Sequence, residues 1–490
     1  MRTSLSALLV CIAGSGFAQM QTATLPSALR TGGLVVVAPH PDDEALIAGG
    51  SLARAVANGE PVAVLILTSG DYDCRSAASQ RQAESVAGLA ALGVKEDQIF
   101  FLGYPDGYLS RLGLKPLPPV RRLIDGVCAR GNTTYGERGA GNVDVHRART
   151  GTAAEYTAPN LVADLHSLLQ SLSPRELIVT HPADSHPDHA AAYAFVRRAL
   201  NGLPRAPRLL RAFVHGDDCW PTGGRSNNCL PGRIAPREAT PPLTGLLRGY
   251  LPNLRLAVPA SCLRQEVRDN PKLAAISAHV SQTRGSASSY LLAFARRDEP
   301  FFEQQLRQDA AGNWVPLAAP RSLRPATFRP LGQERLALLQ HIPLALEVTL
   351  TRPVRGKPVR VSFLETAQQR YVLDFDGQGP QVSLRKQTAA GEASLKQWPL
   401  PHDAWAATER FELQVTNDAS TGGAAELTLF LDGELVGVAV DPKPIRDGIA
   451  LSVDDPSGSK PALSLSLGAC ADTSQNCVHA GRDGARFRAP

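Results

Sequence analysis

The sequence predicts a doubly wound α/β domain followed by an all-β domain. From residue 33 to about residue 203, short β-rich runs alternate with helical stretches, which is typical of βαβ units and a parallel sheet. After about residue 324 the helical periodicity disappears, and runs that alternate apolar with polar residues follow one another. We therefore expect a Rossmann-like parallel sheet within residues 19–325 and a jelly roll or β-sandwich within residues 335–490.

The α/β pattern divides into individual elements. Five β-rich runs predict the strands of the sheet, namely Leu34–Ala38, Val62–Leu67, Gln98–Leu102, Glu176–Thr180 and Leu209–Val214. Three periodic stretches predict helices between them, namely Ala45–Asn58, Ala77–Leu92 and Asp188–Leu200. Two stretches without periodicity, 106–156 and 217–242, predict long loops. Such loops often cover an active site, although exposed insertions without a role are the alternative.

The β-rich portion contains four alternating runs and a hairpin. The runs are Leu344–Thr351, Pro358–Glu365, Arg370–Phe375 and Phe411–Thr416. Residues 426–440 predict the hairpin, because two alternating strands flank Asp432-Gly433, a pair favoured in type I′ turns. The pattern weakly resembles concanavalin-like or laminin-G-like sandwiches. Three aromatic residues here could form a carbohydrate-stacking platform or, as is commoner, lie in the core: Tyr371, Trp398 and Trp405.

Composition and the first residues bear on partners and compartment. The chain has 490 residues, 43% of them apolar, and a net charge of +5, which excludes a wholly disordered chain and is too small for a nucleic-acid-binding signature. Arg2, the apolar stretch 5–13 and the small residues near Ala18 predict a signal peptide over residues 1–18. The apolar stretch is shorter than the roughly 20 residues of a membrane-spanning helix. We expect a secreted or periplasmic bacterial protein without a membrane span.

Seven of the eight cysteines lie after that signal, and none has the paired spacing of a zinc finger. In an exported protein, disulfides are their expected state, and buried free thiols are the alternative. The expected pairs are Cys219 with Cys229, Cys470 with Cys477, and Cys74 with Cys128, which leaves Cys262 free.

Two groups of metal-ligating side chains follow predicted strands. His40 opens an acidic cluster after the first strand, and three histidines lie within residues 181–189 after the fourth. Because ligands bind at the carboxyl ends of strands in open α/β sheets, the two groups can converge in one crevice. The positive end of the helix dipole favours acidic residues in the first turn of a helix, which accounts for the acidic residues after His40. It does not account for a histidine that is followed three residues later by Asp43. That spacing can present a nitrogen and an oxygen to one divalent ion.

His40, Asp43 and His189 form the expected metal-ligand set. Two histidines and one carboxylate leave the fourth position of a tetrahedral zinc open, which is typical of a catalytic site in which a water becomes acidic near neutral pH. Iron or cobalt could also occupy such a set. We therefore expect Zn²⁺, with another divalent transition metal as the alternative.

Three further residues can carry the catalysis. Asp42 adjoins a ligand and can take a proton as general base, or it can serve as an outer-shell partner. His186, as an imidazolium, can stabilise an oxyanion or protonate a leaving amine. Asp188 can orient an imidazole. His181 is expected to be a structural residue at a strand end.

These residues resemble a known family. The stretch VVVAPHPDDE at 35–44 and the stretch HPDH at 186–189 are similar to motifs of the PIG-L or LmbE-like deacetylases, which include the deacetylases of N-acetylglucosaminyl-phosphatidylinositol and of the mycothiol precursor. Further matches are Thr68–Asp71, Arg81, Glu84, Ala91–Val94, Pro105–Gly107, Lys272, His279 and Ser281–Gln282. The resemblance spans about residues 33–302. It implies the zinc ligands, general base, oxyanion-stabilising histidine and orienting aspartate assigned above.

Two departures from the family leave the substrate open: Asp71 stands where many members have glutamate, and the insertion within residues 106–156 has no counterpart. Arg81 and Asp106 are the candidate substrate-binding residues. Arg81 could instead form an intrahelical ion pair with Glu84, and Asp106 could instead form a turn.

The expected function is that of a secreted zinc hydrolase that removes an N-acyl group, chiefly acetyl, from an amino sugar or a glycan. Hydrolysis of another N-acyl compound, such as an acyl amino acid or a glycopeptide, is one alternative. A catalytically silent glycan-binding protein is the other, although the intact motifs argue against it. Because every candidate site residue precedes residue 324, the β-rich portion is expected to be dispensable for catalysis on a small substrate.

Overall fold

The structure is a computed structural model that describes part of the chain. It covers residues 32–468 except 73–74, 118–120, 124–126, 130, 217–219, 223, 226–227, 230–232, 244–246, 248–249, 285–286, 309–311, 317–326, 331–334, 340–344, 352–358, 366–367, 376–380, 401–409, 418–423, 432–433, 446–449 and 455–461.

The first portion alternates strands and helices. Its elements are β1 (Leu34–Ala38), α1 (Asp43–Ala57), β2 (Val62–Thr68), α2 (Arg75–Ala91), β3 (Ile99–Tyr104), β4 (Arg121–Leu123), β5 (Val127–Ala129), α3 (Val145–Thr150), α4 (Ala158–Leu172), β6 (Glu176–Thr180), α5 (Pro187–Leu200), β7 (Arg208–Ala212), β8 (Gly224–Arg225), β9 (Asn228–Cys229), β10 (Leu254–Ala257), α6 (Pro271–Ala278), α7 (Ala287–Leu292), β11 (Asp298–Gln304), β12 (Leu306–Gln308) and β13 (Trp314–Pro316).

The main sheet has the strand order β10-β11-β7-β6-β1-β2-β3. Strands β3, β2, β1, β6 and β7 run parallel, whereas β11 and β10 pair antiparallel at one edge. The chain builds outward from β1 to β3 and then returns to place β6 on the other side of β1. The order therefore reverses between β1 and β6, and at such a switch point the loops after the two strands diverge and leave a crevice.

Apolar side chains cover both faces of this sheet. In β1, Val36 packs with α1, α2 and α6 on one face, while Val35 and Val37 pack with α4 and α5 on the other. A strand that is buried on both faces needs a continuous apolar run, which is what LVVVA supplies. The predicted parallel strands and the three predicted helices are confirmed, with ends shifted by a few residues.

The second portion consists of antiparallel strands. They are β14 (Thr327–Pro330), β15 (Arg335–Leu339), β16 (Ala345–Thr351), β17 (Val359–Glu365), β18 (Arg370–Phe375), β19 (Gln381–Thr388), β20 (Gly391–Pro399), β21 (Arg410–Asn417), β22 (Ala425–Leu431), β23 (Glu434–Asp441), β24 (Ala450–Asp454) and β25 (Ala462–Gly468). They form a seven-stranded sheet, β14-β15-β24-β17-β18-β19-β20, and a five-stranded sheet, β23-β22-β21-β16-β25. Apolar residues of both sheets share one core, so the two sheets pack face to face.

The structure tests some of the predictions made for the aromatic residues of the β-rich portion, for the cysteines and for membrane spans. Tyr371 and Trp398 are buried, so the core alternative holds for them, whereas Trp405 and the turn at 432–433 lie outside the described residues. Cys262 is buried with a free thiol. The other six post-signal cysteines, and the signal peptide at 1–18, also fall outside the described side chains. In the part of the chain that the structure describes, every helix is too short or too polar to cross a bilayer.

Candidate functional site

The two motif segments meet at the switch point of the main sheet. Residues 39–42 connect β1 to α1, which begins at Asp43, and residues 181–186 connect β6 to α5. Because β1 and β6 are parallel neighbours, both connections leave the same edge of the sheet. His189 lies in the first turn of α5, and its backbone oxygen accepts a hydrogen bond from the Thr180 hydroxyl at 2.8 Å. The sheet thus brings two segments together that lie about 150 residues apart in sequence.

Three potential ligand atoms form a compact triangle in this crevice. His40 Nδ1 lies 3.1 Å from Asp43 Oδ2 and 3.2 Å from His189 Nε2, and the latter two atoms are 3.2 Å apart. All three side chains are almost fully buried. The ligand atoms of a tetrahedral zinc with bonds of 2.0–2.1 Å are about 3.3 Å apart. The triangle therefore fits one face of a zinc coordination tetrahedron.

The pKa shifts of the triangle residues also indicate that a cation is favoured between them. Burial alone lowers the pKa of His189, but the Asp43 and Asp184 carboxylates raise it to about 10. The pKa of Asp43 stays well below its usual range, because the two neighbouring imidazoles outweigh the effect of burial. A cation is therefore favoured between these groups, and a metal that takes their place on the ring nitrogens displaces protons.

A second grouping of the same histidines is also geometrically possible. One nitrogen from each of His40, His186 and His189 lies within 4.8 Å of the others. The ring centroids of His186 and His189 are 4.7 Å apart. The triangle that includes Asp43 is the tighter of the two and offers a carboxylate to balance charge. We therefore assign His186 a place beside the triangle and not in it.

The far side of the His40 ring faces two carboxylates. Its Nε2 atom lies 3.3 Å from Asp106 Oδ1 and 3.3 Å from Asp188 Oδ2. Asp188 also accepts hydrogen bonds from the backbone N–H groups of Gly107 and Leu109, at 2.7 and 3.0 Å. This carboxylate therefore ties the Pro-Asp-Gly loop after β3 to helix α5 and orients the imidazole. Such outer carboxylates fix the tautomer of a metal-bound histidine.

His189 has an outer carboxylate as well, Asp184, which the sequence reasoning missed. Asp184 Oδ1 lies 3.3 Å from His189 Nδ1. The Asp184 side chain accepts three backbone N–H groups, from His186, Val214 and His215, at 2.8–2.9 Å. Although burial acts in the other direction, His189 and these N–H groups hold the pKa of Asp184 below its usual range. The available signal was an acidic residue two positions before a motif histidine.

Replacing Asp184 by asparagine is expected to weaken zinc binding about 10–100-fold, the range for outer-shell partners of metal-bound histidines. An amide cannot accept at both ends, so either the His186 N–H and the His189 ring lose their partner or the N–H groups of Val214 and His215 do, and both outcomes disturb the loop that orients His189. Zinc affinity by chelator competition measures the effect. Asp164→Asn is the matched control, because Asp164 is equally buried but bonds Tyr104 and His146 instead. Equal affinities in the two variants would contradict the assignment.

Asp42 lies beside the triangle with an unusual backbone. Its φ of 148° belongs to a region that residues with a side chain rarely adopt. The N–H of Asp42 donates to Glu44 Oε2 at 2.9 Å, and its side chain lies 3.3 Å from the Arg81 guanidinium. Burial raises the pKa of Asp42 to about 7, against the lowering effect of Arg81. Strained residues that are held by their surroundings cluster at functional sites.

Arg81 and Asp106 are both buried next to the triangle. Arg81 donates to Asp106 Oδ2 at 2.9 Å and to the Pro41 carbonyl at 3.1 Å. Glu84 accepts its hydrogen bonds from Gln80, at 2.9 Å, and from the N–H and hydroxyl of Ser281. The guanidinium therefore points to the aspartates and not along the helix to Glu84. Substrate contact by Arg81 and Asp106 stays a prediction.

His186 caps the N-terminus of α5. Its Nδ1 accepts the backbone N–H of Asp188 at 3.2 Å. A neutral ring with a lone pair on Nδ1 carries its proton on Nε2, which leaves Nε2 as a donor. Burial, together with the charges of His189 and His40, lowers the pKa of His186 to about 3. The geometry thus favours a neutral N–H donor at this position over the expected imidazolium.

His215 is a second residue that sequence reasoning missed. Its ring stacks on Tyr290 and lies 5.1 Å from the His189 ring between centroids. The Tyr290 hydroxyl donates to the Val214 carbonyl at 2.5 Å and lies 3.1 Å from His215 Nδ1. His215 follows β7, the strand next to β6. Its place at the carboxyl end of a parallel strand was the signal that the sequence offered.

His181 lies outside the triangle, as expected for a structural residue. It is fully buried, its Nδ1 accepts the Ala183 N–H at 3.0 Å, and its Nε2 lies 3.0 Å from the Tyr250 hydroxyl. Burial, followed by the charge of Arg211, lowers the pKa of His181 well below 6.5. The folded protein therefore holds this ring in its neutral form.

Acid is expected to destabilise the wild-type protein more steeply than the His181→Gln variant. Below pH 6.5 the unfolded chain binds a proton at His181 and the folded protein does not, so the free energy of unfolding falls as the pH drops. One such proton is worth up to about 1.4 kcal/mol per pH unit. Glutamine keeps a donor for Tyr250 but does not titrate. Denaturant unfolding at about pH 7.5 and about pH 5.5 gives the slopes, and equal slopes would exclude this role.

The fold and the triangle together define an α/β domain with a candidate transition-metal site at its switch point. Residues 35–200 match the model of the PIG-L family, described as GlcNAc-PI de-N-acetylase, so the chain contains a PIG-L family domain.

Three proteins are similar to parts of this chain. A 1D-myo-inositol 2-acetamido-2-deoxy-alpha-D-glucopyranoside deacetylase of Gordonia bronchialis is 27% identical over 59% of this chain and 97% of its own length. A protein of the same description from Nocardia farcinica is 32% identical over 35% of this chain and 52% of its own length. The crystal structure of a conserved protein from Thermus thermophilus covers 55% of this chain and 94% of its own, with 24% identity and a TM-score of 0.33.

Proposed function

We propose that this protein is an exported zinc-dependent hydrolase that removes an N-acetyl group from an amino sugar or an amino-sugar-containing glycan. The triangle of His40, Asp43 and His189 beside Asp42 is the observation that carries this proposal. The PIG-L domain and the deacetylases to which the chain is similar supply the reaction class. The signal peptide expected over residues 1–18 supports export.

His40, Asp43 and His189 would hold the zinc. A bound zinc supplies a Lewis acid that polarises a carbonyl and makes water acidic near neutral pH. Asp106, Asp188 and Asp184 hold the two imidazoles in place from behind. Zinc accepts a donor set of two nitrogen ligands and one oxygen ligand, and all three side chains are almost fully buried from solvent.

Asp42 takes the proton of the attacking water as the water oxygen bonds to the amide carbon. A carboxyl whose pKa is near 7 both accepts and returns a proton readily at neutral pH. The same Asp42 proton then passes to the amide nitrogen as the C–N bond breaks, which releases acetate and a free amine. The Arg81 guanidinium, whose Nη2 lies 3.3 Å from Asp42 Oδ2, holds the Asp42 carboxylate in position during both proton transfers.

His186 stabilises the negative oxygen that forms on the substrate. Its Nδ1 is occupied by the Asp188 N–H, so the Nε2–H is free to donate. A fixed donor in a nearly dry site acts on the developing charge without reorganisation of solvent. This role needs no imidazolium, so the oxyanion role is favoured here over protonation of the leaving amine.

The test is release of primary amine by the zinc-loaded protein from N-acetylated monosaccharides, chito-oligomers and N-acyl amino acids, with a chelated sample as control. Chelator-sensitive release from sugars is the expected result. Release from acyl amino acids alone would transfer the proposal to another N-acyl substrate. No release from any compound, with one zinc bound per chain, would overturn the proposal.

A further inference from the structure

The β-rich portion packs against the helix that carries His189. Along β23, Ala439 points into the core of the sandwich, whereas Val438 and Val440 belong to the apolar clusters of the α/β portion. Both valines are about as buried as core residues, with 2% and 3% of their surface exposed. The contact face is therefore a packed apolar seam, which a module on a flexible tether would not form.

One polar contact across this seam reaches the loop between β6 and α5. Lys396 of β20 donates from Nζ to the backbone oxygen of Asp184 at 2.5 Å. The side chain of the same Asp184 faces His189 and accepts three backbone N–H groups. Lys396 thus fixes the backbone of the residue that orients a proposed zinc ligand.

A second polar contact reaches the start of the same loop. Glu426 of β22 accepts from the Arg211 guanidinium at 2.9 Å and from the Tyr250 hydroxyl at 3.0 Å. Tyr250 in turn lies 3.0 Å from His181 Nε2. Arg211 is 1% exposed, and the carboxylate that balances its buried charge comes from the β-rich portion. A buried charge that loses its partner is unfavourable, so this contact stabilises the fold of both portions.

We propose that the β-sandwich is an integral part of the catalytic unit, in which Lys396 and Glu426 are positioning residues that hold the loop 181–186 and, through Asp184, the His189 ring. This replaces the expectation that the β-rich portion is dispensable for a small substrate. The inference rests on the proposed function only in naming His189 a zinc ligand.

Lys396→Met tests the first contact in the full-length protein. The Asp184 carbonyl then loses its donor, and we expect zinc affinity to fall about ten-fold, the lower end of the range for outer-shell partners. The visible spectrum of the cobalt-substituted protein should shift, and kcat should fall with little change in KM. Lys396→Arg keeps a donor and should recover most of each property.

Lys386→Met is the matched control. Lys386 lies on the neighbouring strand β19 and donates to Asp441 of its own portion, at 2.8 Å. Losing it affects the sandwich alone, so zinc affinity and the cobalt spectrum should stay as in the wild type. Changes as large as those of Lys396→Met would show a general effect of sandwich stability and overturn the positioning role.

Glu426→Gln tests the second contact and carries the test alone if Lys396→Met does not fold. Glutamine has the same shape, and its amide oxygen can still accept from both Arg211 and Tyr250, so the variant should fold while the negative charge that balances Arg211 is lost. A shifted cobalt spectrum and weaker zinc binding are expected. Wild-type affinity and spectrum in every folded variant would overturn the proposal.

These readouts need no substrate. A wild-type protein that is inactive on every amino sugar overturns the proposed function, yet the cobalt spectrum of Lys396→Met still decides this inference.

Discussion

Replacement of Asp42 by asparagine is expected to lower kcat by about 10²–10⁴-fold, the contribution of a general base, while zinc stays bound. The amide cannot take a proton from water, and Asp42 is not part of the donor triangle. Asparagine also has nearly the same size and shape as aspartate, so the backbone at φ 148° need not change. Amine release and zinc content, measured on the same sample, give the two halves of the result.

The control for this variant is Asp269→Asn. It makes the same chemical change at a carboxylate that is 56% exposed, and it should leave both rate and zinc content as they were. A near-normal rate in Asp42→Asn would remove Asp42 from the base role. Loss of zinc would instead place Asp42 among the ligands.

Local patterns were sufficient to predict the strands that position the site. Leu34–Ala38 and Glu176–Thr180 lie where the sequence places them, because a strand buried on both faces requires a continuous apolar run. The convergence of His40 with the 181–189 segment followed from one general property of parallel sheets, the shared edge at their carboxyl ends. These features depend on neighbours in sequence or on a simple rule of topology.

Features set by long-range packing were beyond that reasoning. Lys396 meets Asp184 across 212 residues, and Arg211 meets Glu426 across 215. Neither pair has a spacing that a periodicity could reveal. The antiparallel edge strands β10 and β11 were missed for the same reason, since the partner that makes each a strand lies far along the chain.

Arg81 shows how tertiary contacts override a local interpretation. A spacing of three residues from Glu84 permits an intrahelical ion pair, worth a few tenths of a kcal/mol on a surface. In the fold, the helix turns Arg81 toward Asp42 and Asp106, where two buried carboxylates offer a stronger partner. The sequence contains both options, and only the packing of α2 decides between them.

The second prediction with a large effect concerns which residues hold the metal. Asp43→Ala is expected to lose zinc by more than about 100-fold in affinity, beyond the cost of an outer-shell change, because it removes one corner of the triangle. His186→Ala should keep zinc at one per chain and lose rate, because its ring lies beside the triangle. Both variants delete a polar side chain of the same crevice, so each serves as the control for the other.

The comparison separates the two coordination sets that contain both His40 and His189. If the metal were held by His40, His186 and His189, whose nitrogens lie within 4.8 Å of one another, His186→Ala would lose zinc and Asp43→Ala would retain it. The distances favour the set with Asp43, since its three atoms are already 3.1–3.2 Å apart and need no rotation of a side chain to share one ion. His186, fixed through Nδ1 to the Asp188 N–H, would have to leave its place as the cap of α5 to become a ligand by that nitrogen. Zinc content after dialysis, together with the cobalt spectrum of each variant, decides between the two sets.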